Sequence, residues 1–576
     1  MLDAKIVNGQ LIDGTGAKAY RGDIGIRDGR IVAVGTVNEP AKETIDASGL
    51  VVTPGFVDVH THYDAQVFWD PFLSPSCYHG VTTVVGGNCG FSIAPLGPDS
   101  LEYIGPMLAR VEGMPLATLQ AGVPWDWKTF GEYLSKLEGN LGINAGFMVG
   151  HSAVRRAVMG KRAVGHPATE DEIAKMRELV RASIREGALG FSTTVSRSHN
   201  DADGNPVPSR HATKAEILAL AGVCREFEGT SLELLPDLDF RQDTIDLMTD
   251  FSLAGQRPVN WNVLAVSTDS PEEAKEAERK LAVSDYARGK GAKIVALTLP
   301  ARANMRLNFW SGFVFDSLPG WDALFRLPPE QRLEKLKDPT YRQFLDERAH
   351  SPEAGFTRFL AHWPVYVVSE TFAPENKRFE GKSIGELAQE LGKTPFDTLL
   401  DIVVADGLKT SLFLAIGKTD KSSTALRAKL WQDPRTVVGA SDAGAHLDLL
   451  DTFAFSTRML QIGVREHQVI SLEDAVHQLT QVPAELIGLR ERGVLKPGWH
   501  ADIVIFDPET VGLGEVYTKF DLPGSEGRLY ADAIGINRVL VNGRTIVKDG
   551  VHTGAKPGTV LRPGRDTYTN KIPLVA

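Results

Sequence analysis

Apolar residues fall in two rhythms along this chain. Near both ends they come in short runs broken by turn dipeptides, and through the middle they gather into near-continuous blocks. The first 52 residues contain AKIVNGQLIDG and DIGIRDGRIVAVG, in which Asn8-Gly9 and Asp28-Gly29 are hairpin-type turns. The same texture returns in ADIVIFDP at 501–508 and INRVLVNGRTIVKDG at 536–550. These runs predict one small β-sandwich domain built from residues 1–52 and 490–576, with residues 53–489 inserted as a larger domain.

Within the larger part, eight apolar blocks read as strands. They are LVVTPGFVDVHTH, GVTTVVGGNCG, INAGFMVGHSAVR, GALGFSTTV, TSLELLP, PVNWNVLAV, AKIVALTL and TVVGASDAGAH. Helical patterns separate most of them. One is well marked: Thr169 and Glu172 make a capping box, and Ile173, Met176, Val180 and Ile184 fall on one face. Eight near-continuously apolar strands alternating with helices predict an α/β fold, a closed parallel (β/α)8 barrel of the TIM type. An insert over about 301–434 separates the seventh block from the eighth. Its helical stretch PFDTLLDIVVADG and the aromatic surroundings of Trp310, Phe313 and Trp321 fit either a lid over the barrel mouth or a packing-only insertion.

Composition narrows the function classes. With 62 Lys plus Arg against 73 Asp plus Glu, the net charge is −11, which disfavours a nucleic-acid groove or an anionic membrane as partner. The 576 residues are 43% hydrophobic and include 56 Gly and 32 Pro, as suits a globular protein rich in strand-to-helix turns. Cys77, Cys89 and Cys224 are too few for a disulfide framework, and neither a secretory signal nor a spanning segment is visible, so the cytoplasm is the default compartment.

The candidate chemistry lies at strand ends. His60 and His62 stand two apart, so both imidazoles point to one side of a strand and can supply half of a metal site. Cys89, His151 and Asp442 close the second, third and eighth blocks, where a (β/α)8 barrel carries its reactive groups. Each alone is ordinary packing, but together they form a pattern.

The segments PGFVDVHTH, GVTTVVGGNCGFSIAP, MVGHSAVR, EGALGFST, ASDAGAH and VLKPGWHADIVIFDP resemble those of the amidohydrolase superfamily, most closely its N-acyl-D-amino-acid deacylase (D-aminoacylase) branch. The resemblance implies that His60, His62 and Asp442 share one metal position, and that Cys89 is a ligand where other members use a carbamylated lysine. It also implies one histidine each from strands 5 and 6 at a second position. Here the sequence departs: ELLPDL puts Glu233 and Leu234 at the first of these places, and WNVLAV puts Asn262 and Val263 at the second. Leucine and valine donate nothing to a metal and an amide oxygen is a poor zinc ligand, so the reading is a single divalent metal, most simply one zinc per subunit. Glu233 is either a replacement ligand or a buried hydrogen-bonded acid, and Cys89 either a ligand or a buried thiol.

The family's strand-5 arginine and the tyrosine after strand 4 are also missing, so specificity for D-amino acids does not carry over. The loop after strand 4 offers Ser196, Arg197, His199, Arg210 and His211 instead, and Arg197 or Arg210 is a candidate clamp for an anionic substrate. His151, Arg155 and His446 are further candidates for shaping the substrate pocket. The resulting expectation is a metal-dependent hydrolase of an amide or similar carbonyl bond in a small molecule, with Asp442 as general base, either monomeric or a homo-oligomer. Two alternatives stand beside it: a metal-dependent lyase acting on an apolar ketone or acid, and a non-catalytic binding protein on a degenerate barrel.

Overall fold

The computed structural model describes residues 1–302, 304–414 and 418–573. The first apolar block does not form one strand, because it divides at Gly55. Val51–Pro54 pairs with terminal strands, while β1, Phe56–Asp58, pairs with the next block. Glycine is needed at the division, since a Cβ there would stand 2.1 Å from Thr82 Oγ1.

Seven parallel strands follow: β2 Val81–Gly86, β3 Asn144–Phe147, β4 Gly190–Thr194, β5 Ser231–Leu235, β6 Val259–Leu264, β7 Ile294–Thr298 and β8 Thr436–Val438. β1 to β3 form one ladder and β4 to β8 another. Val149–Gly150, just past β3, pairs with β4 and joins the two. Beyond the ends of β1 and β8, the Asp442 N–H donates to His60 O at 3.2 Å and the His62 N–H to Ala443 O at 2.8 Å. Every residue of β2, β3, β4 and β7 is buried, as expected of parallel strands covered on both faces.

Helices fill the connections, including Glu170–Glu186, Gln242–Gly255 and Pro271–Gly289. The first has the capping box read from Thr169 and Glu172, with Met176, Val180 and Ile184 buried and Ile173 half-buried. Its apolar stripe seats it against the strands.

Strands from both ends of the chain share one sheet, nine-stranded among the described residues. Leu2–Leu11 lies parallel to Val51–Pro54, which lies antiparallel to Ile503–Phe506. Asp502 ties this sheet to β3: it accepts from Asn144 Nδ2 at 3.1 Å and from the Asn542 N–H at 2.8 Å, and it is ion-paired with Arg492.

The insert carries its own antiparallel sheet of Met305–Leu307, Tyr366–Glu370 and Ser411–Leu414, over a core that includes Phe309, Trp321, Trp363 and Phe396. The PFDTLLDIVVADG stretch forms the helix Pro395–Ala405. The insert is fastened to the segment after β8, where the Arg306 N–H donates to Leu449 O and Asn308 Nδ2 to Asp448 Oδ2, each at 2.8 Å. Among the described residues, no helix is long and apolar enough to cross a membrane.

Candidate metal centre

The two histidines after β1 face the same point. His60 Nε2 lies 3.2 Å and His62 Nε2 3.7 Å from Asp442 Oδ1. Asp442 reaches this place because its backbone turns at φ 51° four residues past the end of β8, and Ser441 Oγ holds the turn to β1 through Asp58 Oδ2 at 2.5 Å. Cys89, also at positive φ, brings its Sγ to 3.5 Å from His60 Nε2. The donor atoms of His60, His62 and Cys89 all lie within 4.8 Å of one another. The Nδ1 atoms of both rings find no hydrogen-bond partner among the described residues.

These spacings suit a set of ligands as well as a hydrogen-bonded cluster. Asp442 Oδ1 is buried and makes no hydrogen bond with acceptable geometry, although two imidazole nitrogens stand close to it. Donors about 2.0–2.3 Å from a tetrahedral zinc sit roughly 3.3–3.6 Å from one another. The side chains therefore fit a divalent ion in both chemistry and separation.

Their electrostatics agree. Burial pushes Glu233 up to about 8, Asp58 and Asp64 up to about 7, and the Cys89 thiol well above its ordinary value. Burial works against a charged His62, but Glu112, Asp442 and Asp64 outweigh it and push the ring up to about 9. Burial likewise opposes ionised Asp442, and the two histidines overcome it, holding the carboxyl well below the usual range. Among the described residues, no lysine or arginine is ion-paired with Asp442, Glu112 or Glu233. A buried site rich in acids, whose cation is an imidazolium rather than a lysine or arginine, suits a metal that displaces that proton on binding.

The amidohydrolase family profile matches residues 43–321 and 378–547. The chain belongs to the amidohydrolase family. An N-acyl-D-aspartate deacylase of Alcaligenes xylosoxydans xylosoxydans is 30% identical to it over 576 residues, covering 98% of this chain and 95% of that one. The solved N-acyl-D-glutamate deacylase of Bordetella bronchiseptica, complexed with zinc and a phosphonate mimic of the tetrahedral intermediate, aligns at TM-score 0.66 and 26% identity, over 97% of this chain and 99% of that one. A D-aminoacylase described by one-metal activation and second-metal attenuation of its binuclear centre aligns at TM-score 0.65 and 26% identity, over 98% and 100% of the two chains. The amidohydrolase is thus a hydrolytic enzyme acting on C–N amide bonds, in keeping with its motifs.

The other residues singled out in this amidohydrolase divide between the surroundings of the site, where Glu233 and the half-buried His199 lie, and places apart from it. Glu233 on β5 spends Oε2 on the Cys89 N–H at 2.8 Å, and its Oε1 is buried without a hydrogen-bond partner. Asn262 on β6 lies 3.9 Å from Cys89 Sγ through Oδ1. His151 is fully buried with both ring nitrogens engaged, by Thr193 Oγ1 at 2.8 Å and Glu216 Oε1 at 3.0 Å. Arg155 is paired with the same glutamate at 2.5 Å. Arg197 is exposed and bound to Asp237 and Asp239, whereas Arg210 donates to His199 O at 2.9 Å and Asn200 Oδ1 at 2.7 Å. His211 contacts Pro206 O at 3.1 Å, and Ser196 contacts Ser198. His446 packs against Phe313 of the insert with ring centres 5.3 Å apart.

Glu112 was not among the sequence candidates. It caps the C-terminal end of the helix Leu101–Val111 in the connection after β2, is 2% exposed, and places Oε2 3.6 Å from His62 Nε2. An acid at a helix C-terminus opposes the helix dipole, and that local misfit was the available signal. Beside it opens a cavity of about 640 Å³, lined among others by Arg110, Gly113, Trp310, Phe313, Lys409 and Phe520.

Proposed function

We propose that this amidohydrolase is an N-acyl-amino-acid deacylase-like enzyme that uses one zinc ion per subunit, held by His60, His62 and Asp442. The observation that carries the reading is the convergence of three buried donor atoms, His60 Nε2 and His62 Nε2 at 3.2 and 3.7 Å from Asp442 Oδ1. The absence of histidine from β5 and β6 supports a single ion, since those strands present Glu233 and Asn262 instead. The relative described by one-metal activation makes such a site chemically reasonable. The parallel pairing of β1 through β8, together with the contacts between residues 60–62 and 442–443, supports a closed (β/α)8 barrel that begins at β1, with Thr53 and Pro54 left to the terminal sheet. The sheet shared by both termini supports a small separate β domain.

A divalent ion in this place supplies Lewis acidity, polarising the scissile carbonyl and acidifying water. The chain's own groups do the rest. Asp442 takes a proton from the attacking water and returns it to the leaving nitrogen. Cys89 and Glu233 close the site floor through the Cys89 N–H contact with Glu233. The cavity between Leu101–Val111 and the insert receives the substrate, with Trp310, Phe313 and Phe520 offering apolar walls to an acyl group. Under this reading the insert is the lid of the site.

Purified protein is expected to carry one zinc per subunit by elemental analysis and to release amino acid from a panel of N-acyl-amino acids. His60→Ala should lose both properties. Undiminished turnover by protein stripped of metal overturns the reading.

A further inference from the structure

We propose that Glu112 is a protein ligand of the metal, so that a carboxylate from the connection after β2 joins His60, His62 and Asp442 around an ion that still has room for water. The inference rests on the reading above that a divalent ion occupies this site.

Three observations carry it. Glu112 Oε2 lies 3.6 Å from His62 Nε2, a separation of the same size as the 3.5 Å between Cys89 Sγ and His60 Nε2 and the 3.7 Å between His62 Nε2 and Asp442 Oδ1. The Glu112–His62 separation is one that two donors on the same ion can have. Second, Glu112 is buried, and His62 is its only ion-pair partner among the described residues. With no lysine or arginine beside it, the carboxylate has only His62 to balance it, and once that ring gives up its proton to bind a metal the ion itself must compensate the buried charge.

Third, the backbone fixes Glu112 in place. The His446 N–H donates to Glu112 O at 2.5 Å, which pins the helix end to the segment after β8. Gly113 follows at φ 58°, and a Cβ there would lie 3.3 Å from His446 Cα, so glycine permits the close approach. Arg110 is ion-paired with Asp316 at 2.8 Å, which ties the same helix to the insert. The carboxylate is therefore held from both sides and brought to the histidines by contacts that involve residues more than 200 positions away. A hard oxygen donor here supplies what β5 and β6, without histidines, leave out.

The test measures metal affinity, independently of turnover. Wild type, Glu112→Gln, Glu112→Ala and His60→Ala are dialysed against graded zinc buffers, and bound metal is counted by elemental analysis. Loss of an orienting partner weakens metal binding by about 10–100-fold, so loss of a ligand should weaken it by more than about 100-fold. Glu112→Gln is expected to reach that range, to melt as a cooperative unit, and to change the visible spectrum of the cobalt-substituted protein. Wild-type affinity in Glu112→Gln, alongside loss of metal in His60→Ala, overturns the role of Glu112 and leaves the metal site standing. Wild type without metal overturns the underlying reading instead. If neither Glu112 variant folds, a crystal structure of zinc-loaded wild type, with the ion placed by anomalous scattering, decides. A Glu112 carboxylate oxygen at bonding distance from zinc supports the proposal, and one turned away from the ion contradicts it.

Discussion

Under the proposed function, Asp442 is the residue on which the chemistry turns. Asp442→Asn keeps the shape and one oxygen but cannot accept a proton as a carboxylate does, so kcat should fall by about 10²–10⁴-fold while the melting temperature stays near that of wild type. Steady-state kinetics with thermal unfolding would check both halves. His60, His62 and Asp442 were readable from sequence because each sits within a short motif at a strand end, where neighbours dictate direction. The ELLPDL run is enough to put Glu233 on β5, but it takes the fold to show that one of its oxygens is spent on the Cys89 N–H. For Glu112 the local signal, an acid at a helix C-terminus, marks a misfit but not a destination. Its position depends on the turn at Gly113 and on the contact with His446, which no local pattern records.

At the level of elements, local signals held best where a helix carries its own cap. Thr169 accepts from the Glu172 N–H at 3.2 Å and Glu172 reaches back to the Thr169 N–H at 2.8 Å. Thr169→Ala should cost about 1 kcal/mol, measurable as a shift in the denaturant midpoint. The first apolar block was misread as one strand because its division depends on Thr82, a tertiary neighbour that periodicity cannot see. A second prediction concerns His79, buried where the turn before β2 meets the strand Glu526–Ile534. Burial holds its pKa down to about 4, against 6.5 for a free imidazole. Between these values the unfolded chain binds the extra proton, so the contribution to stability is complete above about 6.5 and is lost as pH falls towards about 4. At about 1.4 kcal/mol per unit the loss amounts to roughly 3 kcal/mol. Urea unfolding from pH 7 to 4 should show it, and His79→Gln should flatten that part of the profile.

For the whole molecule, the critical joint is between the terminal sheet and the parallel strands. Arg492 is 4% exposed and ion-paired with Asp502, which also holds Asn144 of β3. Asp502→Ala strands a buried guanidinium and should destabilise the protein by about 3–5 kcal/mol, read from equilibrium unfolding. The same joint has a consequence in time. Val51–Pro54 needs Ile503–Phe506 on one flank, yet the two are made far apart during synthesis. At about 5–20 residues per second, roughly 20–90 s pass between them. Throughout that interval a nascent strand shows a bare row of amide and carbonyl groups, which invites pairing with a neighbouring chain. Slowing the ribosome late in the message, or withholding chaperones, should therefore lower soluble yield far more than it alters the finished enzyme.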